Sequence, residues 1–445
     1  MSTSIDRRSF LKLSGCTAAG AVFSSPLLNA LTARPPVAQG SGLGTLTPLP
    51  PANGGPTVLA LPEGFTYTTF GATGSPLMSG GVHAQSHDGM AALPTRHRNV
   101  TRLTRNQEIR TAPGTPAGIG AVGGPAETRY DPKGVGGVTV IDFDSASGQV
   151  VNEFVGINGT FVNCAGGIAF RGSGWITCEE TTEGPPQGWE RKHGYAFLMP
   201  GDAGSTVPAV PLFAMGRFAH EACATDQRGI VYQTEDAGSG RPSGFYRFLG
   251  NPNRLDKGGQ LEMLAIEGQP GVDLRENQTP LADLPVTWVT IDAPDPDPVI
   301  DFPSPGANSC FAQGFAKGGA RFNRLEGIWS DGERIVFGST SGGDAKNGDV
   351  NSDGYREGYG QIWEYTGTRT RRRAPCVSSM SRPAARSWTP PTTSSSHRAA
   401  ASSCAKTTRP TSTRTPIHSR PASRTSTVSS GWRPAVSRSS SRSTC

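Results

Sequence analysis

The protein has 445 residues and a formal net charge of +6 at pH 7, from 42 basic and 36 acidic side chains. Residues 371–445 hold 14 of the basic residues and no acidic ones, which leaves 28 basic and 36 acidic residues, a charge of −8, for residues 1–370. The acidic main part argues against nucleic acid as a partner, and the lack of a second long apolar stretch excludes a transmembrane helix beyond the N-terminal region.

Residues 1–38 have the pattern of an export signal. Arg7 and Arg8 precede a mostly apolar run of small residues at 13–31, which is typical of a twin-arginine signal peptide. A buried N-terminal helix is disfavoured because glycines interrupt the run and Pro26 ends it. We therefore expect export by the twin-arginine machinery to the periplasm or the extracellular space, with no membrane association afterwards.

After a linker at 39–54, residues 55–370 contain many short strand-like segments and few helical runs. Six of these segments are bounded by Gly, Pro, Asn or Asp, namely 136–144, 194–200, 229–236, 244–248, 334–340 and 360–365. Short strands without intervening helices predict an all-β sandwich, barrel or propeller.

A weak internal repeat favours the propeller. Each copy begins with a possible ligand, continues through a short strand, a polar turn and a second strand, and ends on a polar residue. The three copies are 164–179, 221–235 and 326–340. Repeats of this kind predict propeller blades, in which Cys164, Glu221 and Glu326 would lie at the same end and converge around the axis.

Cys164 and Cys178 leave two interpretations open. Exported proteins often carry disulfides, and opposed positions in a hairpin can bring two sulfurs close together. However, Cys164 has the position that Glu221 and Glu326 have in the other repeats, and all three are anionic metal ligands when deprotonated. A thiolate favours iron or zinc, whereas carboxylate oxygens favour calcium. Further acidic candidates are Asp88, Glu108, Glu180, Glu235 and Asp236.

A series of motifs resembles the PhoX-type alkaline phosphatases over residues 55–370. In chain order these motifs are SHDGM, RNQE, GTFVNCAGG, WITCEE, RFAHEA, YQTEDAGSGRPSGFYRF and FNRLEGIW. The resemblance implies a β-propeller, six-bladed in the family, with iron and calcium at its axis. It also implies hydrolysis of phosphate monoesters, and we expect a monomer that acts on small-molecule phosphoesters.

The resemblance further implies roles for individual residues. Cys164 would be an iron ligand rather than half of a disulfide, and Arg324 would hold the substrate phosphate. The implied metal ligands are Cys164, Glu179, Glu221, Glu326 and Glu108. Some motifs depart from the family pattern: RNQE lacks a histidine before the glutamate, RLE replaces RPE, and the proline and tryptophan after the double glycine are missing. These departures suggest a distant branch with a different substrate.

Two other functions are compatible with a propeller of this composition. A calcium-dependent hydrolase such as a lactonase would use acidic residues at the axis, but calcium alone does not need the thiolate of Cys164. The second is a binding propeller without catalytic activity. Iron content distinguishes the lactonase from the phosphatase, and phosphatase turnover distinguishes the phosphatase from the binding protein.

Residues 371–445 have neither helical nor alternating periodicity. They are compatible with a basic, disordered arm or with a frameshift in a GC-rich gene, which would yield Ser, Arg, Pro, Thr and Ala. The frameshift is favoured because the change follows the strand-like segment 360–365 abruptly. In that case the last part of the propeller and the family's last acidic ligand are missing.

Overall fold

A computed structural model describes residues 44–113, 120–367 and 376–381. The predicted signal peptide, linker residues 39–43 and all of the predicted tail except 376–381 lie outside the described residues. The described part is mostly β-strand with little helix, which confirms the prediction of an all-β protein. In this part of the chain no helix is long and apolar enough to cross a membrane.

The strands of the N-terminal half form three antiparallel sheets. A two-stranded ribbon comprises β1 (Thr47–Leu49) and β2 (Leu59–Leu61). A four-stranded meander follows, made of β3 (His87–Pro94), β4 (Val100–Gln107), β5 (Gly136–Asp144) and β6 (Gln149–Thr160). The third sheet contains β7 (Asn163–Ile168), β8 (Gly174–Glu179) and β9 (Ala196–Pro200).

The largest sheet has nine strands, and its order differs from the chain order. It begins with five sequential strands, β10 (His220–Thr225), β11 (Val231–Glu235), β12 (Phe245–Gly250), β13 (Gly259–Ile266) and β14 (Leu284–Thr290). It continues with β20 (Cys376–Ser381), β19 (Gln361–Thr366), β16 (Arg334–Ser339) and β15 (Leu325–Ser330). A separate ribbon comprises β17 (Lys346–Val350) and β18 (Arg356–Gly358). All six segments predicted as strands overlap observed strands.

The described helices are short. One α-helix, α1 (Cys310–Ala316), begins at Ser309, whose side chain accepts a hydrogen bond from the Ala312 N–H and so caps the helix. The 3-10 helices are Ala126–Thr128, Phe170–Gly172, Pro185–Gln187, Phe213–Met215 and Leu255–Lys257. These short helices connect strands, and the sheets determine the architecture.

Strand β20 lies in the region where the sequence predicted no strand. It pairs antiparallel with β19 from Gln361↔Ser381 to Thr366↔Cys376, and it reaches β14 at Leu284↔Val377. Ladder hydrogen bonds are made by main-chain groups, so a strand paired on both edges does not need an apolar alternation of its own. The six residues of β20 therefore form a strand where the sequence predicted none, and the rest of the predicted tail lies outside the described residues.

The nine-stranded sheet is held by an aromatic core. Alternate residues of β16 and β19 face this core, so Phe337 on β16 and Trp363 on β19 are both buried. Phe337 stacks on Phe245 of β12 with ring centroids 4.0 Å apart. Burying one such side chain contributes roughly 1.5–3 kcal/mol. This packing fixes the hairpin β15–β16 against β10–β12, which positions the site described next.

Candidate metal centre

Four hairpins present a possible ligand at the same position. In each hairpin it is the second residue of the first strand: Asp88 on β3, Cys164 on β7, Glu221 on β10 and Glu326 on β15. The strand register shifts between the first and fourth residues of each of these strands, an interval that contains the possible ligand. Such β-bulges re-aim side chains and are common next to active sites. Three of these positions coincide with the repeat seen in the sequence, and Asp88 adds a fourth.

The second strand of each hairpin ends with a shared main-chain hydrogen bond, called here the closing hydrogen bond. The residue that follows the strand donates its N–H to the carbonyl oxygen two residues before the first-strand ligand. The four bonds are Glu108 to Ser86 at 2.8 Å, Glu180 to Val162 at 2.9 Å, Asp236 to Ala219 at 3.1 Å and Thr340 to Arg324 at 3.1 Å. Each hairpin therefore carries two equivalent positions, one on the first strand and one after the second.

Two groups of side chains at these positions can each hold a cation. Asp88, Glu108 and Cys164 form one group, and Cys164, Glu180 and Glu221 form the other; in each group the ligand atoms lie within 4.8 Å of one another. The Cys164 Sγ is 3.8 Å from the Asp88 Oδ1. Cys164 thus belongs to both groups, and its thiolate could bind a cation in either of them.

Burial and mutual repulsion make these groups reluctant to ionise without a cation. Burial, reinforced by Glu108, raises the pKa of Asp88 to about 6. Burial also raises the pKa of Glu180 to about 8; attraction by Arg110 opposes this shift, and repulsion by Asp236 and Glu108 adds to it. The pKa of the Cys164 thiol is raised first by burial and then by the nearby carboxylates. A bound cation would relieve these costs.

Two arginines occupy the space between the carboxylates. The Arg110 guanidinium donates from Nε to Glu108 Oε1 at 2.8 Å and also pairs with Glu180. The Arg324 Nη2 lies 2.6 Å from Asp236 Oδ2 and 2.8 Å from Glu326 Oε1. Burial lowers the pKa of Arg324, but its hydrogen bonds with Asp236 and the charges of the neighbouring carboxylates together raise that pKa. Arg324 therefore stays charged.

Glu179 lies apart from both groups. Its carboxylate accepts hydrogen bonds from the N–H groups of Phe161 at 2.9 Å and Gly194 at 2.9 Å, and it contacts His193 Nδ1 at 2.7 Å. Burial opposes protonation of His193, but Glu179 and Asp131 together outweigh it and raise the pKa of His193 to about 9. Adjacent residues at a strand end face opposite sides. Glu180 therefore reaches the centre, while Glu179 lies on the other side of the strand and binds His193 and main-chain N–H groups.

The remaining sequence-predicted residues have the following positions. Cys164, Glu221 and Glu108 are brought together in the two groups. Glu326 lies beside them, where its Oε1 accepts a hydrogen bond from the Thr340 hydroxyl at 2.8 Å. Cys164 and Cys178 are both free thiols, so the disulfide interpretation is not realised in this structure.

Asp88 and Glu180 are the members of the two groups that the sequence interpretation did not assign as ligands. Both were noted only as acidic candidates. The hairpin of Asp88 has a longer span than the other three, which hid its equivalence. Glu180 was not assigned because the repeat was aligned on Glu179, the last residue of the strand, rather than on the residue that follows the strand.

Glu179 and Glu180 allow a direct test of these two environments. We expect Glu179→Gln to lower the free energy of unfolding by about 1.5–3 kcal/mol, because it leaves the buried His193 cation with Asp131, 3.5 Å away, as its remaining carboxylate. Glu180→Gln removes a repelling carboxylate and should leave that free energy unchanged or slightly higher in the metal-free chain. It should, however, weaken calcium binding. Urea unfolding with a chelator, together with metal analysis, checks both results; the reverse pattern would contradict the assignment.

The comparisons with known proteins agree with this description. The fold and the site define an all-β protein with a centre of carboxylates around one thiol. The family model for alkaline phosphatase PhoX matches residues 46–381, a span that contains both groups, Arg324 and β20. The chain therefore belongs to the PhoX alkaline phosphatase family. A search of curated proteins finds no match.

Proposed function

We propose that this protein is an exported phosphatase that hydrolyses small phosphate monoesters at a centre of iron and calcium ions. The observation that carries the proposal is the position of Cys164, whose thiol belongs to both groups of possible ligands. Membership of the PhoX family supports the phosphatase class. The proposed metal ligands are Asp88, Glu108, Cys164, Glu180, Glu221 and Glu326.

The donor set suits two kinds of cation. The thiolate of Cys164 favours iron, and the surrounding carboxylate oxygens favour calcium. The raised pKa values of Asp88 and Glu180 support this fit, because a nearby positive charge would favour the ionised form of each group. Glu179 is not included, since its carboxylate is already held by His193 and main-chain N–H groups.

The chain's own residues would bind and orient the phosphate. Bound cations would supply charge neutralisation of the phosphoryl oxygens and a water nucleophile of lowered pKa. Arg324 adds a planar guanidinium that donates two hydrogen bonds to phosphate oxygens in a fixed geometry. Its φ of 44° is unusual for a residue with a side chain, a feature found at functional sites. No general base is assigned among the described residues.

The proposal extends to the architecture and the location of the protein. We propose that the antiparallel meanders are blades of a propeller whose first strands, β3, β7, β10 and β15, line the axis. The equivalent ligand positions and the four closing hydrogen bonds support this arrangement. The twin-arginine pattern at Arg7 and Arg8 supports export to the periplasm or the extracellular space, where the protein would act as a monomer.

The test combines metal analysis with turnover. The purified chain is supplied with iron and calcium, its metal content is measured, and hydrolysis of p-nitrophenyl phosphate is followed. Turnover that depends on both metals supports the proposal. Lactone hydrolysis with calcium alone would favour the calcium-dependent hydrolase, and full metal content without any phosphatase turnover would favour a binding protein.

A further inference from the structure

A cavity beside the metal centre offers a place for the organic part of a substrate. Its volume is about 290 Å³, and Glu180 and Asp236 form the wall that it shares with the centre. Ligand pockets in proteins start near this size, so the cavity suits a small organic group. The following inference rests on the proposed phosphatase function, because it concerns what is attached to the phosphate.

The acidic residues of the cavity are already bound to other groups. Glu183 accepts a hydrogen bond from the Trp189 indole N–H at 2.7 Å. Glu235 accepts hydrogen bonds from the Tyr246 hydroxyl at 2.7 Å and the Gly244 N–H at 2.8 Å. Asp301 is paired with Arg241. The carboxylates that line the cavity therefore do not provide an open binding position for a cationic substrate.

Two arginines of the cavity keep positive charge available. Arg217 is 4% exposed, and its donors bond to main-chain oxygens such as His193 O at 2.9 Å and Pro296 O at 3.0 Å. Its nearest carboxylate, Asp297, is 3.8 Å away and mostly exposed. Buried charge without a close counter-ion is costly. An anion in the cavity would reduce that cost.

Arg110 provides the donor that such an anion can reach. Its side chain is 54% exposed, and its Nε and Nη2 contact Glu108 and Glu180. Its Nη1 has no partner within the described ranges. A cation in the first group would compete for the Glu108 oxygens and a cation in the second for the Glu180 oxygens, and either would release more of the guanidinium. A guanidinium binds a carboxylate or phosphate through two parallel hydrogen bonds.

We propose that this cavity binds a second anionic group on the organic part of a small phosphomonoester, with Arg110 as the specificity-determining residue and Arg217 as the buried source of positive potential. The substrate class is thus the phosphate esters of small hydroxy acids. A neutral alcohol of the same size would leave the Arg110 donors to water and lose this interaction.

The experiment compares two ligands that share a skeleton and a phosphate. Calorimetry on the 445-residue chain, at the same free calcium concentration, measures binding of 3-phosphoglycerate and of glycerol 3-phosphate, which carries a hydroxymethyl group in place of the carboxylate. We expect 3-phosphoglycerate to bind about tenfold more tightly or better, as a charge-assisted hydrogen bond would give. Equal affinities for the two ligands would overturn the proposal.

Variants assign that preference to Arg110. Arg110→Gln should bring the affinity ratio close to one, whereas Arg110→Lys, which keeps the charge, should retain most of it. Arg334→Gln is the matched control, because Arg334 is an exposed arginine that pairs with Asp331 and Glu364 and should keep the full ratio. An unchanged ratio in Arg110→Gln would overturn the proposal.

Binding and turnover separate this inference from the proposed function. A preference for 3-phosphoglycerate without hydrolysis would contradict the phosphatase function and leave the cavity assignment standing. Hydrolysis of p-nitrophenyl phosphate without any preference between the two ligands would support the phosphatase function and contradict the cavity assignment.

Discussion

Cys164→Ser is expected to remove most of the bound iron and to lower phosphatase kcat by more than about 100-fold, which exceeds the usual effect of losing an outer-shell partner of a metal site. The reason is that Cys164 belongs to both groups of ligands, so its loss affects two cation positions at once. A serine hydroxyl does not ionise near neutral pH and cannot replace a thiolate on iron. Iron analysis and p-nitrophenyl phosphate kinetics measure the two effects.

The control for this variant is Cys310→Ser. Cys310 is also a buried free thiol, but it lies at the start of α1, with its Sγ 3.4 Å from the Pro294 carbonyl oxygen. A hydroxyl can donate to the same oxygen, so this variant should keep its iron and its activity. Full iron content in Cys164→Ser would refute the assignment, and so would a mapped Cys164–Cys178 disulfide in the active wild-type protein.

Arg324→Ala is expected to lower kcat/KM on p-nitrophenyl phosphate roughly 30- to 800-fold. This decrease corresponds to a loss of about 2–4 kcal/mol of transition-state stabilisation. Arg324 is permanently charged and lies beside Glu326 and Asp236, where a guanidinium can bind the equatorial phosphate oxygens. The variant should keep its metal, because arginine is not a ligand. Steady-state kinetics and metal analysis on the same preparation separate these effects.

Arg334→Ala serves as the comparison for Arg324. Arg334 also contacts two carboxylates, but its side chain is exposed and its partners, Asp331 and Glu364, lie outside the two groups. We expect its kcat/KM to equal that of the wild type. If Arg324→Ala has an unchanged kcat/KM as well, Arg324 does not contact the phosphate in the transition state.

The sequence predicted the positions that a local pattern encodes. Short strands bounded by turn residues identified the all-β class, and the repeated hairpin placed Cys164, Glu221 and Glu326 at equivalent positions. The choice between Glu179 and Glu180 depends on which way two adjacent side chains point. That direction is set by the register between β7 and β8, which is a tertiary property.

Other parts of the site depend on contacts between residues far apart in the chain. Arg324 meets Asp236 across 88 positions, and no local pattern indicates that pairing. Arg110 joins Glu108 to Glu180 only because β4 and β8 end at the same side of the centre. The strand β20 was missed for a related reason, since main-chain pairing with β19 and not its own side-chain alternation defines it.

The closing hydrogen bonds make the backbone of the site independent of the side chains that could hold cations. Each bond joins main-chain atoms only, so a mutation at Glu108, Glu180 or Thr340 can change the side chain and preserve the backbone that carries it. The four positions after the second strands already include glutamate, aspartate and threonine. A single substitution at one of these positions could therefore change which cations the site would bind and leave the main chain that carries it unchanged.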